Sequence, residues 1–217
     1  MTFGYGNKET EYLMKRDKRL GEAIERIGHI DRAVENDLFT SLVHHIVGQQ
    51  ISTRAQATIW QRLQDRVGTV DARGVASLSV DELQALGMSF RKAGYIQGFA
   101  RQVQTGSLDV DALATLPDDE VIRRLTVLPG VGMWTAEMLL TFCLQRPDVV
   151  SFGDLAIHRG MRMLYHRRSI DRETFARLAR RYSPYGTVAS LYLWAIAGGA
   201  LPELTDPAPQ RRGKETK

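Results

Sequence analysis

What most restricts the fold of this 217-residue chain is a helical repeat of apolar residues, broken again and again by capping residues. Asp37 precedes "LFTSLVHHIVGQQ", in which Leu38, Leu42 and either His45 or Ile46 share one face. Ser52 precedes a segment repeating through Ile59, Trp60 and Leu63. Ser79 and Glu82 have capping-box spacing ahead of Leu83 and Leu86. "SFRKAGYIQGFARQVQ" keeps the period with Phe90, Ala93, Ile96 and Ala100. Pro117 and the acids 118–120 open another helix, because first turns favour proline and negative charge. Later helices are read from Asp154 to Tyr165, Asp171 to Tyr182 and Tyr185 to Ala197. No stretch alternates with period two between hairpin signals, so the predicted class is all-α, with about ten helices.

Composition narrows the function. At 43% hydrophobic the chain can bury a sizeable core, in one domain or two small lobes. Lys and Arg number 29 against 25 acids, a balance of +4 that suits a polyanionic partner without demanding one. The charge is uneven: eight arginines lie between Arg159 and Arg181, against Asp171 and Glu173 alone. Such a cluster is either a solvated basic face or a phosphate-facing surface. A single cysteine, Cys143, excludes an internal disulfide and any multi-cysteine zinc or iron–sulfur site within the chain. It lies in an apolar run and reads as a buried, inert thiol. The first twenty residues lack the apolar core of a secretory signal, and no run approaches the ~20 apolar residues of a membrane helix. The expectation is a soluble, intracellular protein with no membrane partner. Both ends, "MTFGYGNKE" and "PELTDPAPQRRGKETK", read as loose, with a flexible tail over 202–217.

The stretch "LPGVGMWTAEMLLT" is the chain's most unusual joint. Val121, Leu125 and Leu128 make one helical face, and the helix is expected to stop at Pro129. Gly130 and Gly132 permit positive φ for a tight reversal, and the next helix starts at about Met133. A bare turn feeding a helix N-terminus offers amide N–H groups to a phosphate. A plain corner between two helices is the other reading. Downstream, Asp154 stands at a helix start, as an N-cap, a functional carboxylate or both.

Helix, Leu-Pro-Gly-Val-Gly, helix, and then "GDLAIHRG" about twenty residues on, resembles the helix-hairpin-helix base-excision DNA glycosylases. Within them the chain is most similar to the 3-methyladenine DNA glycosylase II group and its yeast counterparts. "IVGQQIS" at 46–52, "LGMSFRKAGYIQGFA" at 86–100 and "SPYGTVASLYLW" at 183–194 match further blocks, so most of the chain is covered. The resemblance implies a single glycosylase unit over 1–217, with lobes of 36–150 and of 10–35 plus 151–200 and an active-site cleft between them. It implies the compact all-helical form, without an additional β-rich N-terminal domain. Asp154 falls on the catalytic aspartate. Trp134 falls where lyase-competent relatives carry a Schiff-base lysine, which points to a monofunctional enzyme. Tyr185 aligns with a pocket aromatic, and Met138 and Leu155 join Trp134 and Tyr185 in the base pocket. Gly130, Val131, Gly132 and Thr135 fall on the DNA-binding hairpin. Gln50, or alternatively Ile51, falls on the residue that fills the gap left by a flipped nucleotide. The carbonyls of Thr126, Leu128 and Val131 fall on ligands of a monovalent cation, Na or K, and no cofactor is implied for the chemistry.

The implied reaction is hydrolysis of an N-glycosidic bond in double-stranded DNA containing damaged bases, by a monomer. The implied location is the cytoplasm beside the nucleoid in a bacterium, or the nucleus in a eukaryote. A carboxylate facing the sugar carbon stabilises an oxocarbenium-like transition state, and a cationic alkylated purine stacks on an electron-rich ring. One carboxylate with no evident acid partner suits a base that leaves without protonation, such as 3-methyladenine. His158, one turn from Asp154, reads as a surface histidine. Two alternatives stay open: a glycosylase for oxidised, deaminated or mismatched bases, and a non-catalytic helix-hairpin-helix DNA-binding protein.

Overall fold

The computed structural model describes residues 1–208. Thirteen helices fill it: α1 (Asn7–Arg16), α2 (Lys18–Ile27), α3 (Leu38–Gly48), α4 (Thr53–Val67), α5 (Ala72–Ala76), α6 (Val80–Ala85) and α7 (Phe90–Gln104), then α8 (Val110–Leu113), α9 (Asp118–Leu125), α10 (Met133–Phe142), α11 (Leu155–Tyr165), α12 (Arg172–Tyr182) and α13 (Gly186–Ala197). Among the described residues extended pairing is confined to one antiparallel bridge, Thr2 to Ala33. The fold is all-α. Four helices were not named from the sequence: α1 and α2, which precede Asp37, and α5 and α8, whose five and four residues are too few to show a period.

The caps explain where most helices begin. Asp17, Asp37, Ser52, Asp71, Ser79, Ser89, Asp109, Asp154 and Asp171 each accept a first-turn N–H at the start of α2, α3, α4, α5, α6, α7, α8, α11 and α12. Ser79 and Glu82 close the expected capping box.

The chain forms two units. The first comprises Met1 and 34–145, hence α3 to α10; the second comprises 2–33 and 146 onward, hence α1, α2 and α11 to α13. In the first unit Phe39 stacks on Phe99 at 5.0 Å, amid buried Leu42, Ile46, Ile96 and Leu139. Cys143 is buried, and burial pushes its thiol up to about 12, so it is inert as expected.

The second unit is built on the crossing of α11 and α13. Gly160 makes it close: a Cβ there would lie 2.9 Å from the Leu193 carbonyl carbon. A buried polar knot ties α2, α11 and α12 together. Asp17 accepts Leu20 N–H at 3.1 Å, the Tyr165 hydroxyl at 2.9 Å and Arg181 at 3.0 Å, while the Tyr165 and Tyr182 hydroxyls lie 2.8 Å apart.

The N-terminus is held, contrary to the sequence expectation. Phe3 is buried and donates its N–H to Arg32 at 2.7 Å, and the Tyr5 hydroxyl accepts Ile30 N–H at 2.7 Å. At the other end, residues 202–208 of the expected tail make defined contacts. Asp206 accepts a two-pronged bond from Arg162 at 2.6 and 2.8 Å, and Glu203 pairs with Arg26. The remainder of that tail, 209–217, lies outside the described residues.

Candidate active site and DNA-contacting elements

Asp154 is placed from both sides. Before it, residues 146–150 are fastened along the start of α13. Asp148 accepts Ser183 Oγ–H at 2.6 Å and Gly186 N–H at 3.0 Å. Thr187 Oγ1 donates to Arg146 O at 2.6 Å and accepts Val149 N–H at 3.0 Å, and Ser190 Oγ donates to Val149 O at 3.0 Å. After it, Oδ1 of Asp154 accepts the N–H groups of Ala156 at 2.8 Å and Ile157 at 2.9 Å, which makes it the N-cap of α11. The residue is 6% exposed. The positive end of the α11 dipole favours negative charge there. Its neighbour Leu155, by contrast, is 85% exposed, an apolar side chain offered to solvent on the first helical residue.

His158 has a different role from a surface histidine. Its Nε2–H donates to the Phe152 carbonyl at 2.8 Å, and its ring stacks on Phe175 at 5.2 Å. Phe152 meets His158 and Phe175 edge-on, at 5.0 and 5.1 Å. The loop two residues before Asp154 is thereby clamped by three rings. Tyr185, on the residue before α13, is half-buried and packs edge-on against Tyr12 at 5.2 Å, while the Tyr12 hydroxyl donates to Ser183 O at 2.7 Å. Tyr12 had no signal in the sequence, because the partners it meets lie over 170 residues away along the chain.

The first unit carries the hairpin. Helix α9 ends at Leu125, four residues before Pro129, and the chain then reverses through Leu128 N–H to Leu125 O at 3.0 Å and Val131 N–H to Leu128 O at 3.1 Å. The two glycines differ, which corrects the expectation that both need positive φ. Gly130 has φ +85°, and a Cβ there would meet the Tyr95 ring, 2.9 Å from Cε2. Gly132 is extended at φ −92°, caps α10 and has open space where a Cβ would stand. Val131 and Thr135 are buried, so what they can offer a phosphate is backbone. Thr135 N–H lies in the first turn of α10, where amides lack helical acceptors.

Trp134, on that same turn, is 43% exposed, whereas Met138 is 3% exposed. Helix α10 buries Thr135, Ala136, Met138, Leu139, Leu140 and Thr141, so one turn takes Met138 from the exposed end into packed surroundings.

Gln50 sits just past α3 with φ +57°, exposed, next to the 38%-exposed Ile51. Left-handed backbone on a non-glycine residue is strained and persists where the surroundings impose it. Here they are explicit. Lys92 Nζ donates to Val47 O at 2.8 Å and Gln49 O at 2.5 Å, and Gln49 Nε2 donates to Gly130 O at 2.8 Å. Burial, and then the nearby Arg91, hold the Lys92 ammonium below the usual lysine range. The Gln50 turn and the hairpin are therefore one hydrogen-bonded piece of the first unit. Lys92 and Gln49 were not singled out from the sequence, where they are an ordinary helix lysine and a helix-end amide.

Solved structures share this architecture. DNA-3-methyladenine glycosidase from Bacillus halodurans superposes with a TM-score of 0.82 at 35% identity, covering 91% of this chain and 93% of that one. The 3-methyladenine DNA glycosylase of Schizosaccharomyces pombe, solved in complex with abasic DNA, gives 0.77 at 26% identity, over 88% of this chain and 97% of that one. In sequence, DNA-3-methyladenine glycosylase 1 of S. pombe is 26% identical over 213 residues, 93% of this chain and 91% of the relative. DNA-3-methyladenine glycosylase 2 of Escherichia coli is 26% identical over 178 residues, which cover 58% of that longer relative. The hairpin, the Gln50 turn and the approach to Asp154 all fall within residues 43–184, the span that matches a family model, and on that span the chain belongs to the HhH-GPD superfamily of base excision DNA repair proteins.

Proposed function

We propose that the protein is a monofunctional DNA glycosylase that releases alkylated purines such as 3-methyladenine from duplex DNA. The observation that carries this reading is Asp154, a buried carboxylate fixed by two backbone N–H groups at a helix start. Phosphate binding by a hairpin gains nothing from a carboxylate, so a purely DNA-binding role uses Asp154 only as the N-cap of α11 and gives its charge no part.

The chemistry follows from that group. The glycosidic C–N bond breaks with its electron pair leaving on the base, and positive charge spreads over C1′ and the ring oxygen. Asp154, already immobile, opposes that charge with little reorganisation, an effect of roughly 3–4 kcal/mol for one well-placed group. Water adds to C1′ and loses its proton to Asp154 or solvent. A base cationic from N-alkylation leaves neutral and needs no proton donor. Trp134, exposed at the start of α10, is suited to stack on such a base at about 1–2 kcal/mol. It also stands, by resemblance, where relatives that cleave the strand carry lysine, which supports hydrolysis without strand cleavage. The nucleotide leaves the stack first, at a cost of a few kcal/mol, and Gln50, held in its strained turn, is suited to fill the gap.

The carbonyls of Thr126, Leu128 and Val131 suit a monovalent cation. They are neutral oxygens, Thr126 caps the C-terminus of α9 where the dipole is negative, and a carbonyl such as Leu128 O, which accepts Val131 N–H, keeps a second lone pair. Such an ion would offset charge between hairpin and phosphate; no step of the chemistry passes through it. The test is release of free bases from methylated duplex under single-turnover conditions, set against deaminated duplex. Faster release of hypoxanthine than of 3-methyladenine would overturn the substrate assignment.

A further inference from the structure

Arg172 is the first residue of α12, where the helix dipole disfavours a cation. It is exposed and forms no ion pair among the described residues. Its guanidinium carbon instead lies over the Phe152 ring, 4.3 Å from the centroid. Three arginines of the basic run are neutralised: Arg159 and Arg162 by Asp206, and Arg181 by Asp17. Among the described residues Arg172 shares its lack of a carboxylate partner with Arg167, Arg168, Arg177 and Arg180; what sets it apart is its place at the start of α12, over the Phe152 ring.

Its platform says where it acts. Phe152 is held by the His158 and Phe175 rings, and its carbonyl by His158 Nε2–H, so the ring that carries Arg172 belongs to the loop leading to Asp154. Three unlike groups are exposed around Phe152 and Asp154: Gly153 without a side chain, Leu155 apolar and 85% exposed on the residue after Asp154, and, over the Phe152 ring, the Arg172 cation. An apolar group and a planar cation beside a carboxylate suit a deoxyribose and its phosphate, since guanidinium forks match phosphate oxygens. A carboxylate working close to a polyanion also repels it, and a neighbouring cation offsets that.

We propose that Arg172, stacked on Phe152, binds a backbone phosphate of the strand whose nucleotide is presented to Asp154. It is a second phosphate contact, on the other unit from the hairpin. The assignment rests on the reading of Asp154 as the group that acts on DNA. The contact with Phe152 holds the guanidinium in place in advance, so less side-chain freedom is lost when a phosphate arrives.

The experiment measures affinity for an undamaged duplex, and for one bearing a stable abasic analogue, over a range of salt concentrations. Each phosphate neutralised contributes about 0.9 to the slope of log affinity against log salt. Arg172→Gln should lower that slope by about one and weaken binding about tenfold at fixed salt. Arg172→Lys should keep the slope, because it keeps the charge. Arg180→Gln, at the far end of α12, makes the same change in net charge and should leave the slope unchanged. An unaltered slope in Arg172→Gln, or an equal fall in Arg180→Gln, would overturn the proposal. Base release by the wild-type protein is scored separately: release that persists beside an unaltered slope removes Arg172 alone, and no release removes the reading of Asp154.

Discussion

At the scale of the residue, Asp154 caps α11, and one substitution separates that structural role from the chemical role proposed for it. Asparagine is as good an N-cap as aspartate, and its side-chain oxygen can accept the same N–H groups from Ala156 and Ile157. Asp154→Asn should therefore leave the melting temperature within a few degrees of wild type while removing the charge that opposes the oxocarbenium ion. We expect single-turnover base release to fall at least about 100-fold. Duplex binding should persist or tighten, since a negative group near phosphates is gone. A release rate close to wild type would take the catalytic role from Asp154. The N-cap was legible in the sequence, whereas the chemical role is a proposal that rests on the family motif. The clamp that aims the carboxylate was not, because Asp148, Thr187 and Ser190 meet residues 146–150 and 183–186 by tertiary contact across some 40 positions.

At the scale of the element, the hairpin's two glycines make different predictions. Gly130→Ala puts a Cβ into the Tyr95 ring and forces φ +85° on an L-residue, where left-handed backbone alone costs roughly 1–2 kcal/mol. It should lower the urea midpoint and weaken binding to damaged and undamaged duplex alike. Gly132→Ala meets open space at an ordinary φ and loses only the N-cap preference for glycine, so its midpoint should fall less than that of Gly130→Ala. Any loss of DNA binding in Gly132→Ala then reports close approach of a phosphate backbone. Equal stability of the two variants would contradict the geometry. The sequence located this turn and the start of α10, but it assigned both glycines the same conformation. Only packing against Tyr95, more than thirty residues earlier, tells them apart. Likewise the helix blocks around Gln49 and Lys92 were recognisable, whereas their bonds to Gly130 O, Val47 O and Gln49 O join three separate elements and left no local trace.

At the scale of the whole molecule, stability should depend on pH through two adjacent histidines of α3. Burial lowers His44, helped by its neighbour His45, and burial lowers His45 despite the bond its Nδ1–H donates to Ser41 O at 2.8 Å. Gln56 donates its amide to the His44 carbonyl at 3.0 Å and lies 3.2 Å from His44 Nε2, so protonating that ring sets donor against donor. The unfolded chain takes up protons at the ordinary value of 6.5, while the folded chain resists them until lower pH. Unfolded protein thus binds more protons in that interval, and stability falls as pH drops below about 6.5. Each tenfold difference in proton affinity is worth about 1.4 kcal/mol, or about 2–4 °C of Tm for a chain of this size. Paired carboxylates act at lower pH. Arg123 and Arg124 hold Glu120 at about 2, and Arg162 holds Asp206 below its usual range, so their contributions are whole above their ordinary values of 4.5 and 3.8 and are lost only as pH falls below them. The interval from pH 6.5 to about 5 therefore belongs to the histidines. Melting at pH 7.5 and pH 5.5 should show a lower Tm at the acidic value. His45→Leu, which fills the same half-buried place without a titrating ring, should keep only part of that drop. A Tm that holds or rises between the two pH values would show that α3 accommodates charged imidazoles, against the burial that surrounds them.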